Sequence, residues 1–592
     1  MGLKFRFREK RVDVIKKLLT GNEAIARGAY EAGVRVACAY PGTPSTEILE
    51  NIAQYPEISA QWSTNEKVAV EVAQGASIAG ARVLAAMKHV GVNVAADPLF
   101  TAGYNGVSGG FVLVSADDPG MHSSQDEQDN RYYAKFMKIA LLEPTDSQEA
   151  KDFVAAALEI SELFDTPVML RTTTRISHSK SLVELQERVE IPVKPYKKDS
   201  AKYFVVPANQ RPKRPIIEDR VLRLSKYADR FPGNRVEGDG KEFAVITSGP
   251  GYLYAREALG DRATYLKLSL TWPLPEGLIR DFIANHGEVL VIEEGEPFLE
   301  EQIKALGLPV KGKEIFPRIG ELSVAIIREK LLGIRLPLLT VDCSEVPGRP
   351  PVLCAGCPHR GVFSVIAKMA DIITSDIGCY SLGYMPPLSA GDTCIDMGAS
   401  IPNALGFSKV LPDKKIVATI GDSTFLHSGI TGLIDVVYNK GPVTVVILDN
   451  SITGMTGHQQ NPATGFDISG KPAPQVRIEE IVRACGVEKL WIVDAYNLEE
   501  TASALREALV AREPAVIIAR RPCMLILRNP VRESYWIDSD ACKLCRSCLK
   551  IGCPAIELKD GKVRIESKMC TGCGVCQQVC KFQAIRKAGG EK

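Results

Sequence analysis

This sequence predicts a multidomain α/β protein with a small α+β module at its C-terminus, and three observations carry that fold class. Apolar strand-like runs alternate with helix-like stretches through most of the 592 residues. Pro-rich, charged stretches break that rhythm in two places. From residue 536 the rhythm gives way to two dense runs of cysteine. Strands alternating with helices argue for mostly parallel sheets.

In residues 1–190 the runs "VRVACAY", "RVLAAMKHV" and "GGFVLVSA" each precede polar, Gly/Pro-marked loops, the βαβ rhythm of a parallel sheet. Proline and charge crowd into "EIPVKPYKKDS" and "PANQRPKRP", so residues 191–240 read as a connector. A shorter α/β unit follows over 241–335, with strands in "EFAVITSGPGY" and "GEVLVIEEGEP". The Pro-rich stretch "LPLLTVDCSEVPGRPP" marks the next boundary, and a further α/β unit spans 340–535. Residues 536–592 form the cysteine-rich module. No period of about 20–50 residues repeats, which argues against a solenoid.

Apolar residues make up 45% of the chain and charged residues 24%, as in a soluble globular protein. The N-terminus "MGLKFRFREKRVDVIKK" lacks the apolar core of a signal peptide, and no uncharged apolar run is long enough to span a bilayer. The expectation is a cytoplasmic chain with no membrane span, where a reducing medium leaves the 16 cysteines free to bind iron. A net charge of +1 gives no whole-chain field for nucleic acid. Residues 536–592 carry 11 Lys/Arg against 6 Asp/Glu, an excess that partly neutralises cluster charge and otherwise either steers an acidic electron carrier or is a solvated tail.

The two cysteine runs are "CKLCRSCLKIGCP" and "CTGCGVCQQVCK". Three cysteines at x2, x2 wrap one face of a cubane, and in two-cluster modules the fourth thiolate comes from the other run. One [4Fe-4S] cluster is therefore assigned to Cys542, Cys545, Cys548 and Cys580, and a second to Cys570, Cys573, Cys576 and Cys553. Four residues instead of three separate Cys548 from Cys553, and Lys581 stands where a proline is expected. Structural zinc and disulfides are the alternatives, and the interleaved order fits neither simple zinc spacing nor a secreted scaffold.

In "KKIVATIGDSTFLHSGITGLIDVVYNKGPVTVVILDNSIT" a strand, Ile416 to Ile420, runs into Gly421-Asp422-Ser423. A helix around Ile430 to Tyr438 follows, and a strand from Val443 to Leu448 runs into Asp449-Asn450. Both loops fall at the carboxyl ends of parallel strands, where open α/β sheets bind ligands. A carboxylate from Asp422, an amide oxygen from Asn450 and a nearby backbone carbonyl make half of an octahedral Mg²⁺ shell, leaving places for phosphate oxygens. Elsewhere, "STNEKVAVEVAQGASIAGARV" offers Glu66 and Glu71 ahead of a small-residue helix.

The Gly-Asp and Asn positions resemble the thiamine diphosphate motif, with Ser423 and Asp449 replacing a glycine and an asparagine. By that resemblance Gly421, Asp422, Ser423, Asn450 and the Ile452 carbonyl hold cofactor and Mg²⁺. The loops "LCAGCPHRG" and "SDIGCYSLG" resemble those enclosing the cofactor in 2-oxoacid:ferredoxin oxidoreductases, which implicates Cys354, Cys357, His359, Gly378 and Cys379. Read alone, the C-x-x-C of Cys354 and Cys357 also suits a redox pair or half a zinc site. "YPGTPSTEI" and the helix after Glu66 resemble the pyrimidine-binding part of the same family. They place Glu66 on its cofactor glutamate and Thr43 on its 2-oxo acid contact, with helix capping near Ser45 the alternative for Thr43. "MKHVGVNVAADPL" and "HSSQDEQDNR" are similar to the alpha subunits of the indolepyruvate branch. His89 is a candidate substrate neighbour or a structural histidine. Arg131 either clamps a carboxylate or pairs with Asp126, Glu127 and Asp129.

The resemblance covers essentially the whole chain. It implies two thiamine diphosphate-binding domains (1–190, pyrimidine; 340–535, diphosphate), a transketolase-C-like domain (241–335) and a ferredoxin-like domain with two [4Fe-4S] clusters. It further implies oxidative decarboxylation of aryl 2-oxo acids (indolepyruvate, phenylpyruvate and 4-hydroxyphenylpyruvate) to aryl-acetyl-CoA and CO₂ with reduction of ferredoxin. A smaller beta subunit, in an α2β2 assembly, and coenzyme A are the implied partners. The rival expectations are another 2-oxo acid as substrate, or a non-catalytic electron-transfer subunit that retains the fold.

Overall fold

The computed structural model describes residues 15–335, 342, 344–348, 350–527 and 533–588. Half of the "LPLLTVDCSEVPGRPP" boundary and most of the N-terminal stretch lie outside the described residues. The chain divides into two compact units, Met1–Thr340 and Val341–Lys592.

In the first unit a seven-stranded sheet runs in the order Leu270–Trp272, Ala140–Leu142, Val168–Thr173, Phe111–Asp117, Val83–Lys88, Val36–Ala39, Ser59–Trp62. All neighbours are parallel except Leu270–Trp272, which pairs antiparallel with Ala140–Leu142. Strand Phe111–Asp117 is buried at every position, as a strand covered on both faces must be. Helix Gly21–Glu31 starts on a reciprocal cap, in which Thr20 Oγ1 accepts from the Glu23 amide and the Glu23 carboxylate accepts from the Thr20 amide.

A second sheet orders Val289–Ile292, Phe243–Ser248, Ala263–Leu268 and Arg235–Glu237, the last antiparallel to its neighbour. One face has a core of its own, with Val245, Tyr265 and Ile292, while on the other Ile246, Leu266 and Phe298 join Met87, Leu113 and Met169 of the large sheet in one continuous apolar cluster. The stretch read as a connector is structured. It forms helices Ser200–Tyr203, Pro207–Gln210 and Lys213–Ala228. It also returns to the large-sheet layer, where Lys194 Nζ donates to the Ser108 carbonyl and Lys202 Nζ to the Val107 carbonyl.

The second unit is built on a six-stranded, all-parallel sheet in the order Thr393–Cys394, Ile372–Ser375, Ile416–Gly421, Thr444–Asp449, Ala515–Arg520, Lys489–Asp494. Successive side chains point to opposite faces. Val446, Leu448 and Ile517 enter one core, while Val445, Ile447 and Ile518 enter the other. The C-terminal module has two antiparallel pairs, Tyr535–Ile537 with Ile585–Lys587 and Ile556–Lys559 with Lys562–Ile565. Among the described residues no helix is long and apolar enough to cross a membrane.

Candidate active site

The strand Ile416–Gly421 delivers Asp422 to the carboxyl edge of the parallel sheet, and Thr444–Asp449 delivers Asn450 to the same edge. A Cβ on Gly421 would stand 2.6 Å from the Tyr380 ring, so only glycine lets that ring close over the turn. A π-helical segment, Phe425–Gly429, follows before helix Ile430–Tyr438 begins. Such segments interrupt helices most often beside functional positions.

Three oxygen-bearing groups converge beyond this turn. One terminal atom of the Asn450 amide lies 3.2 Å from Asp422 Oδ1 and 2.8 Å from the Ile452 carbonyl oxygen. Turned with its NH₂ toward them the amide donates to both; turned with its oxygen toward them, three oxygens face one another with no proton between. Cis oxygens of a Mg²⁺ octahedron with metal–oxygen bonds of about 2.0–2.1 Å stand about 2.9 Å apart. The spacing therefore fits a small divalent cation. Burial, with the neighbouring Asp449 carboxylate, pushes the Asp422 carboxyl up to about 7. A cation relieves that penalty. Asn461 Nδ2 donates to Asp422 Oδ2 at 3.4 Å, and Thr453 Oγ1 donates to Ser423 Oγ at 2.9 Å.

The two cysteine-bearing loops sit beside this edge. Cys379 Sγ and the Asn450 amide both flank Gly454, at 3.5 and 3.6 Å from where a Cβ would lie. The carboxylate of Asp376 fixes the second loop by accepting from the amides of Gly398 and Ser400 at 2.9 and 3.0 Å. His359 is buried, its imidazole pushed down to about 4 by burial and set edge-on to Tyr380 at 5.9 Å. Burial pushes the Cys357 and Cys379 thiols up to about 12 and about 11.

In the C-terminal module one cavity is lined by Cys542, Cys545, Cys548 and Cys580, and another, which Cys357 of the first cofactor-side loop also lines, by Cys553, Cys570, Cys573 and Cys576. These are the two groups of four named from the spacing. Among the described residues no three His, Cys, Asp or Glu side chains draw together into a site for a single metal ion. Four thiols spread around a cavity fit a polynuclear cluster.

In the first unit Glu66 opens helix Glu66–Ile78, with Asn65 as its cap accepting from the Val68 amide at 2.9 Å. Glu66 is buried, and its carboxylate lies against Gly91 of helix His89–Val94, where a Cβ would come within 2.7 Å of Oε1. Glu71 is exposed and paired with Lys67 one turn earlier, so it belongs to the surface. The His89 ring is wholly buried, with Nε2 3.3 Å from Asp126 Oδ1 and Nδ1 without a partner among the described residues. The His89 carbonyl accepts from Asn130 Nδ2 at 3.0 Å and Gln128 Nε2 at 3.3 Å. The "MKHVGVNVAADPL" and "HSSQDEQDNR" segments are thereby joined.

Thr43 does not cap a helix: Ser45 precedes helix Thr46–Ile52 and donates its hydroxyl to the Gly42 carbonyl at 2.8 Å. The Thr43 carbonyl instead accepts from Ser123 Oγ at 3.5 Å, next to Lys88, whose Nζ donates to the Ser123 carbonyl at 2.6 Å. The reading of Arg131 as a substrate clamp is corrected. It is 1% exposed, donates to Asp129 at 2.9 Å, to Glu293 at 2.7 Å and to the carbonyls of Glu294 and Glu296, both at 2.9 Å. Each of its three nitrogens is committed inside the protein. Burial alone would push the Asp129 carboxyl up; Arg131 and Arg171 outweigh it and hold it down at about 2.

Comparison with known proteins bears directly on these sites. Residues 27–225 match the thiamine diphosphate-binding domain of pyruvate flavodoxin/ferredoxin oxidoreductases. Residues 376–519 match the C-terminal TPP binding domain of thiamine pyrophosphate enzymes, and 534–581 a 4Fe-4S dicluster domain. The chain is 44% identical to the indolepyruvate oxidoreductase subunit IorA of Archaeoglobus fulgidus, over 97% of this chain and 98% of that one. The chain belongs to the indolepyruvate oxidoreductase IorA family. Its IorA relatives in Pyrococcus horikoshii and Methanothermobacter thermautotrophicus are 41% and 42% identical, each over 97% of this chain and 97% and 98% of theirs. As an IorA-family chain it is part of a thiamine diphosphate-dependent 2-oxoacid:ferredoxin oxidoreductase, with a ferredoxin-type iron–sulfur domain, and its chemistry is the oxidative decarboxylation of a 2-oxo acid.

Sequence reasoning passed over several residues that the IorA-family fold brings to these sites. Cys523 lies three residues beyond strand Ala515–Arg520, its amide donates to the Asn450 carbonyl at 2.9 Å, and it shares an electrostatic neighbourhood with Cys354 and Cys379. Its position just past the carboxyl end of a parallel strand, at the same edge as Asp422 and Asn450, is the signal that would have found it. Asp376, directly after parallel strand Ile372–Ser375, and Gly91, three residues past parallel strand Val83–Lys88, carry a signal of the same kind, while Arg360, on a helix, carries none.

Proposed function

We propose that the chain is the cofactor- and cluster-bearing subunit of an enzyme that converts indolepyruvate, phenylpyruvate and 4-hydroxyphenylpyruvate, with coenzyme A, to the aryl-acetyl-CoA and CO₂. Each turnover passes two electrons, one at a time, to ferredoxin. A smaller beta subunit completes the enzyme, in an α2β2 assembly. The observation that carries this reading is the convergence of Asp422 Oδ1, the Asn450 amide and the Ile452 carbonyl at the carboxyl edge of the sheet, in the same unit as two cysteine-lined cavities, each holding one of the two groups of four.

In this reading Asp422, Asn450 and the Ile452 carbonyl hold Mg²⁺, which anchors the diphosphate. Thiamine diphosphate, when bound, supplies a nucleophilic carbon and an electron sink for the 2-oxo acid. The Glu66 carboxylate holds and returns a proton at the pyrimidine ring nitrogen. Its place on the first turn of a helix, pressed against Gly91, fixes the oxygens for that exchange. Thr43 and His89 orient substrate. His359, kept neutral by burial, and Tyr380 close the wall behind the turn that bears Asp422 and exclude water. Cys542, Cys545, Cys548 and Cys580 hold one [4Fe-4S] cluster, and Cys553, Cys570, Cys573 and Cys576 the other.

The test is a panel of 2-oxo acids with a viologen acceptor, run on the chain alone and with the smaller subunit, with and without coenzyme A. Turnover that favours arylpyruvates and requires both additions supports the reading. Full coenzyme A-dependent turnover by the chain alone, or a preference for pyruvate or 2-oxoglutarate, overturns it.

A further inference from the structure

Arg360 stands on the first turn of helix His359–Met369 and is 4% exposed. Its Nε donates to the Cys354 carbonyl at 3.0 Å, and its Nη1 donates to the carbonyls of Ile551, at 3.3 Å, and Gly552. Nη2, shut away from solvent, finds no partner among the described residues. The side chain lines the same cavity as Cys553, Cys570, Cys573 and Cys576. The ionisable groups around it are the thiols of Cys553, Cys357, Cys354 and Cys573, and none of these is a carboxylate.

Burying an ion without a counter-charge carries a penalty of several kcal/mol. Two other buried arginines among the described residues avoid it, Arg131 matched by Asp129 and Glu293 and Arg171 by Asp117 and Glu143, whereas Arg220 donates only to the carbonyls of Asp165 and Gly103 and lines no cysteine cavity. Arg360 faces thiols instead. Four thiolates around a [4Fe-4S] core carry net negative charge, which deepens by one unit when the cluster takes an electron. Hydrogen bonds to cluster sulfurs and nearby charge are among the levers that set a cluster's potential.

We propose that Arg360 is the counter-charge of the cluster held by Cys553, Cys570, Cys573 and Cys576, donating an Nη2–H to one of its sulfurs and raising its reduction potential. This rests on the reading of those four cysteines as cluster ligands. Reduction adds one electron and transfers no atom, so the fixed positive charge favours the reduced form over the oxidised one. Because the same guanidinium also holds the Cys354 carbonyl, it ties the cofactor-side loop to the cluster it tunes.

The test is a redox titration of the holoenzyme followed by EPR, comparing wild type, Arg360→Met and Arg360→Lys, with iron content measured throughout. A Cys545→Ser background marks which wave belongs to the other cluster. In Arg360→Met, the ratio of reduced to oxidised cluster at a fixed potential is expected to fall at least tenfold, a downward shift of about 59 mV for one electron. The other cluster stays put, and Arg360→Lys recovers part of the loss. An unchanged potential with the cluster intact overturns the proposal, as does an equal shift of both clusters. Wild-type protein without the second cluster overturns the ligand reading itself, and iron content tells the two failures apart. Should Arg360→Met fail to assemble, ¹⁵N-arginine labelling decides: a ¹⁵N coupling on the reduced cluster in wild type that vanishes in Arg360→Lys supports the hydrogen bond. No arginine coupling in wild type overturns it.

Discussion

The Glu66 carboxylate is pressed against Gly91: a Cβ there would come within 2.7 Å of both Oε1 and Cγ of Glu66. One helix supplies the acid and the next supplies the bare backbone that leaves room for it. Gly91→Ala must push the carboxylate aside. The expected loss in substrate-driven viologen reduction is roughly 10²- to 10⁴-fold, the usual scale of a misplaced general acid-base. Gly75, in the interior of the Glu66 helix with nothing within 4 Å of its would-be Cβ, is the control. Gly75→Ala should keep activity and gain about 0.5–1 kcal/mol of stability. Equal rates for wild type and Gly91→Ala would show that the position of Glu66 does not matter.

Glu66→Gln keeps shape and hydrogen bonding but cannot exchange a proton. It should bind cofactor and clusters, lose arylpyruvate-driven reduction by at least roughly 10²-fold, and keep the EPR signal that dithionite produces. Glu71→Gln should be nearly silent, because that carboxylate is spent on a surface pair with Lys67. The reverse ranking of the two variants would exchange their roles.

Asp422→Ala removes the one carboxylate from the three-oxygen convergence and should abolish Mg²⁺-dependent thiamine diphosphate binding, read by calorimetry, with iron content unchanged. The same group gives a pH dependence. Its proton, held up to about 7 by burial and Asp449, must leave before the ion binds. Mg²⁺ affinity should therefore fall roughly tenfold per pH unit below that value and level off above it. In the metal-free protein the linkage runs the other way. A carboxyl raised on folding contributes stability at low pH, and that contribution fades as pH rises from the ordinary carboxyl range through about 7. A pH-independent affinity between 6 and 8 would contradict the ligand assignment.

Arg131→Met leaves Asp129 and Glu293 buried without their shared cation. The expected cost is about 3–5 kcal/mol, the range for breaking a buried pair from one side. Protein that does fold should bind 2-oxo acid with unchanged KM. A raised KM at unchanged stability would restore the carboxylate-clamp role that the geometry removes.

What was legible in the sequence and what was not follows from how each feature is encoded. The strands ending at Gly421 and Asp449 and the helix Ile430–Tyr438 lie within a residue of their expected bounds, because a fully buried strand writes itself as a short, mostly β-branched run and its polar loop ends it. Local spacing named the two groups of cysteines for the same reason: the information sits within a dozen residues. Arg131 was ambiguous because its partner Glu293 is 162 residues away, and nothing local announces an ion pair of that separation. Gly91 and Arg360 act through contacts of the same long-range kind. The shared core of the two sheets in the first unit escaped notice because a domain boundary was read from proline and charge, which report local chain stiffness and not what the strands on either side pack against.

The central claim is that electrons released from carbon on this subunit reach its own clusters. The direct measurement is freeze-quench EPR of the anaerobic holoenzyme, assembled with the smaller subunit, after mixing with indolepyruvate and no other reductant. The account predicts a reduced [4Fe-4S] signal that appears with indolepyruvate and is absent in Glu66→Gln and in Asp422→Ala, while dithionite still reduces the clusters of both variants. Clusters that dithionite reduces but no arylpyruvate does, in wild-type holoenzyme carrying bound thiamine diphosphate, would contradict it.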